Sequence, residues 1–156
     1  MKTRYTEITY SQFQSLMNGM GFKEIVVEGT HERIWSFVLV GTSYEIRIYS
    51  SIGNKSGVTR NNGKDAIRVL LWNCITGKPI ISERVYRTAG ALTNTKLKAR
   101  QIYKHFRDNK CTCGGVLVNR ISYSAPNKGH KFLGCSNYPS CTITKNFVES
   151  QLKMKI

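Results

Sequence analysis

Four cysteines near the C-terminus have the types and spacing for metal chemistry. Cys111 and Cys113 form one close pair, Cys135 and Cys141 a second, and 21 residues separate the pairs. Zn²⁺ takes four ligands in a tetrahedron and thiolate suits it, so two close pairs carried on two turns satisfy the ion cheaply. Clustered cysteines of an intracellular chain point to metal before disulfides. The fifth cysteine, Cys74, stands apart in an apolar stretch beside Leu71 and Trp72. It is expected to be a buried structural thiol. His130 lies near the second pair, but four cysteines already fill a tetrahedral site.

The elements that must position these ligands are short. Gly114-Gly115 supplies the backbone freedom for a tight turn after the first pair. Val116 to Val118 reads as a strand, and Lys131 to Leu133 as another that delivers Gly134-Cys135. A fold this small buries little surface, so the metal supplies most of its stability. Arg120, Tyr123, Lys128, Lys131 and Tyr138 intersperse cations with aromatics. Single-strand binders use that mixture, with cations following phosphates and rings stacking on bases. Phe132 is expected to pack over the metal site, and Tyr138 fits either that role or a stacking one.

The run Cys113-Gly114, Leu117, Arg120, Gly129, Phe132 and then Gly134-Cys135-Ser136-Asn137-Tyr138-Pro139-Ser140-Cys141 resembles the C4 zinc finger at the C-terminus of bacterial type IA DNA topoisomerases. The block from Phe132 to Cys141 is its specific part. The resemblance covers about 34 residues, Cys111 to Thr144. It implies zinc on the four cysteines and binding to DNA, often single-stranded. Two departures stand out. The first knuckle is Cys-x-Cys, one residue shorter than the family's Cys-x-x-Cys and without its Pro, and the spacer through Ser124 to Gly129 is slightly longer. The chain is too short for the topoisomerase catalytic domains.

The charge balance points the same way. The 156 residues hold 24 Lys and Arg against 9 Asp and Glu, a net charge of +15. Such an excess suits a polyanionic partner, nucleic acid above all. The excess is spread over both ends: residues 1–106 carry 16 basic and 7 acidic side chains, residues 107–156 carry 8 and 2. No apolar run approaches the roughly 20 residues of a membrane span. MKTRYTEITY lacks the apolar core of a secretory signal. A soluble, cytoplasmic protein with no membrane partner is expected.

The first 107 residues read as an α+β domain. Tyr10, Phe13, Leu16, Met17 and Met20 fall at helical spacing, with Ser11 as N-cap and Gly21 as the stop. Glu24–Glu28 and Ile34–Val40 are strand-like. Tyr44, Ile46 and Ile48 alternate with Glu45, Arg47 and Tyr49, and Ile67, Val69 and Leu71 alternate with Arg68, Leu70 and Trp72. Residues 51–64 form a long polar loop. Thr76-Gly77-Lys78-Pro79 is turn chemistry, and Ile80 to Thr88 is a returning strand. A second helix is expected from about Thr93 to Arg107. Its Ala99, Ile102, Tyr103 and Phe106 make an apolar stripe beside a basic stripe of Lys96, Arg100, Lys104 and Arg107. The expected architecture is a small, mostly antiparallel sheet flanked by two helices (1–107), followed by a zinc-ribbon-like C4 module (108–156).

The function expected is a zinc-containing, non-enzymatic nucleic-acid-binding protein of DNA metabolism, DNA before RNA and single strands favoured. Lys96, Arg100 and Lys104 would add phosphate contacts. The strand faces bearing Arg47 with Tyr49, and Arg68 with Trp72, would offer a second basic and aromatic surface unless Trp72 belongs to the core. One alternative is a metal-dependent nuclease anchored by the finger. That chemistry needs clustered carboxylates, and the acids nearest strand and loop ends are Glu32, beside His31, and Asp65. No catalytic motif is visible. The other alternative is an RNA- or protein-binding accessory.

Overall fold

A capping box starts the first helix. Thr9 Oγ1 accepts the Gln12 N–H at 3.1 Å, while Gln12 Oε1 accepts the Thr9 N–H at 3.1 Å. Two of the end's orphan donors are thereby satisfied. The N-cap is therefore Thr9 and not Ser11: Ser11 has its own glutamine three residues on, Gln14, but it already lies within the helix. This helix, α1, runs Tyr10–Gly19. It ends in a Schellman turn: Gly21 N–H bonds Asn18 O, Phe22 N–H bonds Met17 O, and Gly21 sits at φ 85° where a side chain would be strained. The computed structural model describes residues 8–26, 33–52, 66–123, 126 and 128–146.

Five antiparallel strands follow in simple order: β1 (Lys23–Ile25), β2 (Arg33–Val38), β3 (Tyr44–Ser50), β4 (Ala66–Asn73) and β5 (Lys78–Tyr86). Val27 and Glu28 of the expected first strand, and residues 53–65 of the expected loop, lie outside the described residues. Alternation sets two faces. Trp35 and Phe37 of β2 stand opposite Ile48 and Ile46 of β3, which stand opposite Val69 and Leu71 of β4. This face is the core. Phe13 of α1 meets Trp35 edge-on with centroids 6.4 Å apart, and Phe22 meets Phe37 at 5.5 Å. Phe13, Met17, Ile48, Val69 and Leu71 are fully buried.

Between β4 and β5, the Asn73 side chain accepts the N–H groups of Ile75 and Thr76, and Gly77 takes φ 68°. This turn lifts Cys74 off the sheet. Cys74 is exposed, contrary to the buried thiol expected from its apolar neighbours, because the asparagine turn begins one residue before it.

The second helix, α2, spans Ala91–Asp108. Its Ala91, Thr95, Ala99, Ile102 and Phe106 are buried, and Lys98 reaches Glu83 of β5 at 3.7 Å. The chain divides within α2 into two compact units, Met1–Ile102 and Tyr103–Ile156. In the second unit a three-stranded antiparallel sheet is built from β6 (Leu117–Ile121), β7 (Lys131–Cys135) and β8 (Thr144–Asn146), with β7 central. The fold class is thus α+β, two helices with two antiparallel sheets among the described residues. No helix among them is long and apolar enough to cross a membrane.

Candidate metal centre and adjoining groove

The first knuckle grows directly out of α2. Buried Asn109 donates to the His105 carbonyl at 2.9 Å and accepts the Leu117 N–H on its own carbonyl at 2.7 Å. The His105 ring Nε2 also bonds the Leu117 carbonyl at 2.7 Å. These bonds fix the root of β6 against the helix end. Between them, Cys111 N–H bonds Gly115 O and Gly114 N–H bonds Cys111 O, with Gly114 at φ 94°. The one-residue-shorter knuckle turns on that left-handed glycine and still delivers both sulfurs.

The second knuckle meets it across a gap that only glycine permits. A Cβ on Gly115 would stand 2.8 Å from Asn137 Nδ2 and 3.0 Å from Cys135 Sγ and Ser136 Oγ. Ser136 lashes the knuckles together: its Oγ accepts the Val116 N–H at 3.0 Å and its own N–H bonds Val116 O at 2.8 Å. Cys111, Cys135, Leu117 and Leu133 form a small buried core on which Cys141 packs, while Cys113 is exposed.

All four Sγ atoms lie within 4.8 Å of one another. Cys111 and Cys141 are 3.7 Å apart, Cys113 and Cys135 3.3 Å. Four sulfurs at about 2.3 Å from one tetrahedral ion are separated by roughly 3.8 Å. The cluster can therefore hold a metal ion, and an all-thiol set of this size suits Zn²⁺. Backbone donors are arranged for thiolates: Gly115 N–H points to Cys113 Sγ at 3.4 Å and Asn137 N–H to Cys135 Sγ at 3.4 Å. The Gly115 N–H, with help from Cys135 and the Asn137 amide, pulls the Cys113 thiol down to about 6. Burial pushes Cys135 up to about 12. At Cys141 the Ile143 N–H pulls downward, but burial and the neighbouring sulfurs leave the thiol raised. Cys113 is thus the more readily ionised thiol, and an ion held by the cluster would displace the protons of Cys135 and Cys141. His130 is exposed and outside the cluster.

An open groove of about 800 Å³ adjoins the cluster, lined among others by Arg120, Tyr123, Lys131, Phe132, Tyr138 and Ile143. Tyr123 is 83% exposed and Tyr138 66%, so neither belongs to the module's core. Phe132, expected over the metal, faces the groove half-buried. Arg120 has a structural part as well. It donates to the Cys135 carbonyl at 3.1 Å, and its guanidinium lies 6.0 Å over the Tyr138 ring. It crosses the strand where Gly134 leaves room, since a Cβ there would meet Arg120 Cδ at 2.7 Å. Lys128 and Lys131 are exposed. The sequence reading missed β8, whose three residues carry no alternating signal.

The other expected contact residues are dispersed. On α2, Arg100 and Lys104 are exposed, Lys96 is half-buried, and Arg107 pairs with Asp108 at 3.1 Å. On the five-stranded sheet Arg47 pairs with Glu45 and lies 4.4 Å over Trp72, while Arg68 lies 4.8 Å over Tyr49. Trp72 is half-buried on the face opposite the core, not within it. His31, Glu32 and Asp65 lie outside the described residues. Among the described residues the four cysteines are the one group of three or more potential ligands brought together. Comparison of the chain with family models, curated proteins and solved structures finds no match.

Proposed function

We propose that the Tyr103–Ile156 unit is a structural zinc module that binds nucleic acid, single-stranded DNA before duplex or RNA. The observation that carries this reading is the groove. Two exposed tyrosines, Tyr123 and Tyr138, stand beside Arg120 and Lys131 on a ribbon whose root is a four-sulfur cluster. Exposed rings beside cations suit unpaired bases on a phosphate chain, at about 1–3 kcal/mol per stacked base. A closed set of four thiolates leaves no open position for substrate, which favours a structural over a catalytic ion. The net charge of +15 supports a polyanionic partner. The resemblance of Cys111 to Thr144 to the topoisomerase C4 finger supports both the metal and the ligand.

The test is metal content together with binding. Purified chain should carry about one zinc, and a fluorescein-labelled single-stranded oligonucleotide should bind with an affinity that falls steeply with salt. Tyr123→Ala with Tyr138→Ala should weaken that binding while zinc stays bound. Zinc-free protein, or binding indifferent to both tyrosines, would overturn the reading.

A further inference from the structure

The four sulfurs of the cluster are not equally open to solvent. Cys111 is 7% exposed and Cys135 1%, and Cys141 is partly buried. Cys113 is exposed, on a knuckle whose Thr112 and Gly114 are exposed as well. The cause is the short loop. With a single residue between its cysteines and Gly114 at φ 94°, the knuckle turns Cys111 into the small core and leaves Cys113 outside it. Cysteine oxidation follows thiolate character and exposure, and every sulfur that ligates a metal ion is a thiolate. Exposure is therefore what separates the four, and it singles out Cys113.

The same knuckle decides what an oxidised Cys113 meets. Its sulfur lies 3.3 Å from Cys135 Sγ, while Cys111 Sγ lies 3.7 Å from Cys141 Sγ. Both close pairs thus run across the two knuckles. Closing 3.3 Å to a disulfide's ~2.05 Å takes a shift of about 1 Å. Gly115 leaves the path open, since a Cβ there would stand 3.0 Å from Cys135 Sγ. A partner this near captures a sulfenic acid as a reversible disulfide before further oxidation makes the change permanent.

We propose that Cys113 is a peroxide-sensitive modification site, whose oxidation closes a Cys113–Cys135 disulfide and releases the metal ion. In the first step the Cys113 thiolate attacks hydrogen peroxide. The O–O bond breaks, the sulfur gains OH as a sulfenic acid, and the departing hydroxide takes a proton from solvent to become water. In the second step the Cys135 thiolate attacks that sulfur. The S–S bond forms, the S–O bond breaks, and a second hydroxide leaves and is protonated to water. Two thiolates have then lost two electrons and one peroxide has gained them. Zn²⁺ keeps only two of the four ligands a structural site needs, and it dissociates. A second peroxide pairs Cys111 with Cys141 in the same way. The inference rests on the zinc reading above and adds to it a means of control.

Hydrogen peroxide added to the full, zinc-loaded chain tests it, with released zinc read by a chromophoric chelator and disulfides mapped by peptide mass spectrometry. Zinc should be released as the Cys113–Cys135 pair forms, ahead of Cys111–Cys141, and dithiothreitol with added zinc should restore the site. Cys74→Ser removes the other exposed thiol and should leave the release unchanged. Cys113→His keeps four ligands for zinc but no exposed sulfur on the knuckle, and its release should be slower by about tenfold or more. A first disulfide within one knuckle, or one to Cys74, overturns the inference. That map is made on the unaltered chain, so it decides the matter even where the histidine variant does not fold. Zinc that stays bound under peroxide overturns the inference and leaves the structural zinc module standing. A chain that holds no zinc overturns both readings.

Discussion

The two units reach order by different routes. Met1–Ile102 buries Phe13, Met17, Trp35, Ile48, Val69 and Leu71 between two helices and one face of a five-stranded sheet. That is enough apolar surface to fold on hydrophobic burial. The apolar side chains that Tyr103–Ile156 buries among the described residues are Phe106, Val116, Leu117 and Leu133, with Cys111 and Cys135. On the proposed reading, four sulfurs and an ion do in the second unit what an apolar core does in the first. The difference has a functional side. A ribbon that spends no side chains on a large core can leave Tyr123, Tyr138 and Lys131 exposed on its strands and turns.

The sharpest way to break this comparison is to remove a ligand. Cys135→Ser takes away the most deeply placed sulfur, 1% exposed. Zinc content should fall to near zero and the second unit should unfold, seen as loss of amide dispersion for residues 109–146. Signals of the first unit should be unmoved. Collapse of both would show that they fold as one. The converse change, Leu71→Ala, empties the centre of the first core and should cost about 2–5 kcal/mol in denaturant unfolding, with zinc still bound.

Gly115→Ala asks how closely the knuckles must approach. Its Cβ would press on Asn137, Cys135 and Ser136 at 2.8–3.0 Å. Of these, Cys135 is a ligand and Asn137 donates to both Cys113 and Cys135. Zinc affinity should drop about 10–100-fold, the range for disturbed ligand surroundings, measured by competition with a chromophoric chelator. Acidity gives a gentler version. Cys113 is held down at about 6, so above that pH it meets the metal as a thiolate. Below it, uptake must displace one more proton, and apparent affinity should fall by about a further tenfold per pH unit. A zinc affinity whose pH slope does not steepen near 6 would show that Cys113 is not the pre-ionised ligand.

What could be read in advance follows the same division. The cysteine pairs announced themselves because metal geometry constrains spacing along the chain. The alternation of Ile46 and Ile48, and of Ile67, Val69 and Leu71, announced the core face because burial has the period of the strand. Features set by approach between distant segments were not legible. Gly134 is needed because Arg120 lies across it, which neither residue's local sequence states. For the same reason Arg120 read as a nucleic-acid contact, although it also holds the Cys135 carbonyl. Cys74 was misplaced because Leu71 and Trp72 drew attention from the turn that Asn73 begins.

The N-cap of α1 was ambiguous, since Thr9 and Ser11 each have a glutamine three residues on, and it supplies the smallest test. Thr9 and Gln12 exchange bonds reciprocally, whereas Ser11 is exposed inside the helix. Thr9→Ala should cost about 1 kcal/mol of first-unit stability, and Ser11→Ala should cost nothing or add a few tenths, since alanine is the better helix former. Because α1 packs only within the first unit's core in the contacts seen, neither substitution should change zinc content. A loss of metal with Thr9→Ala would mean that the cap's influence reaches the cysteines, and that the two routes to order are not separate.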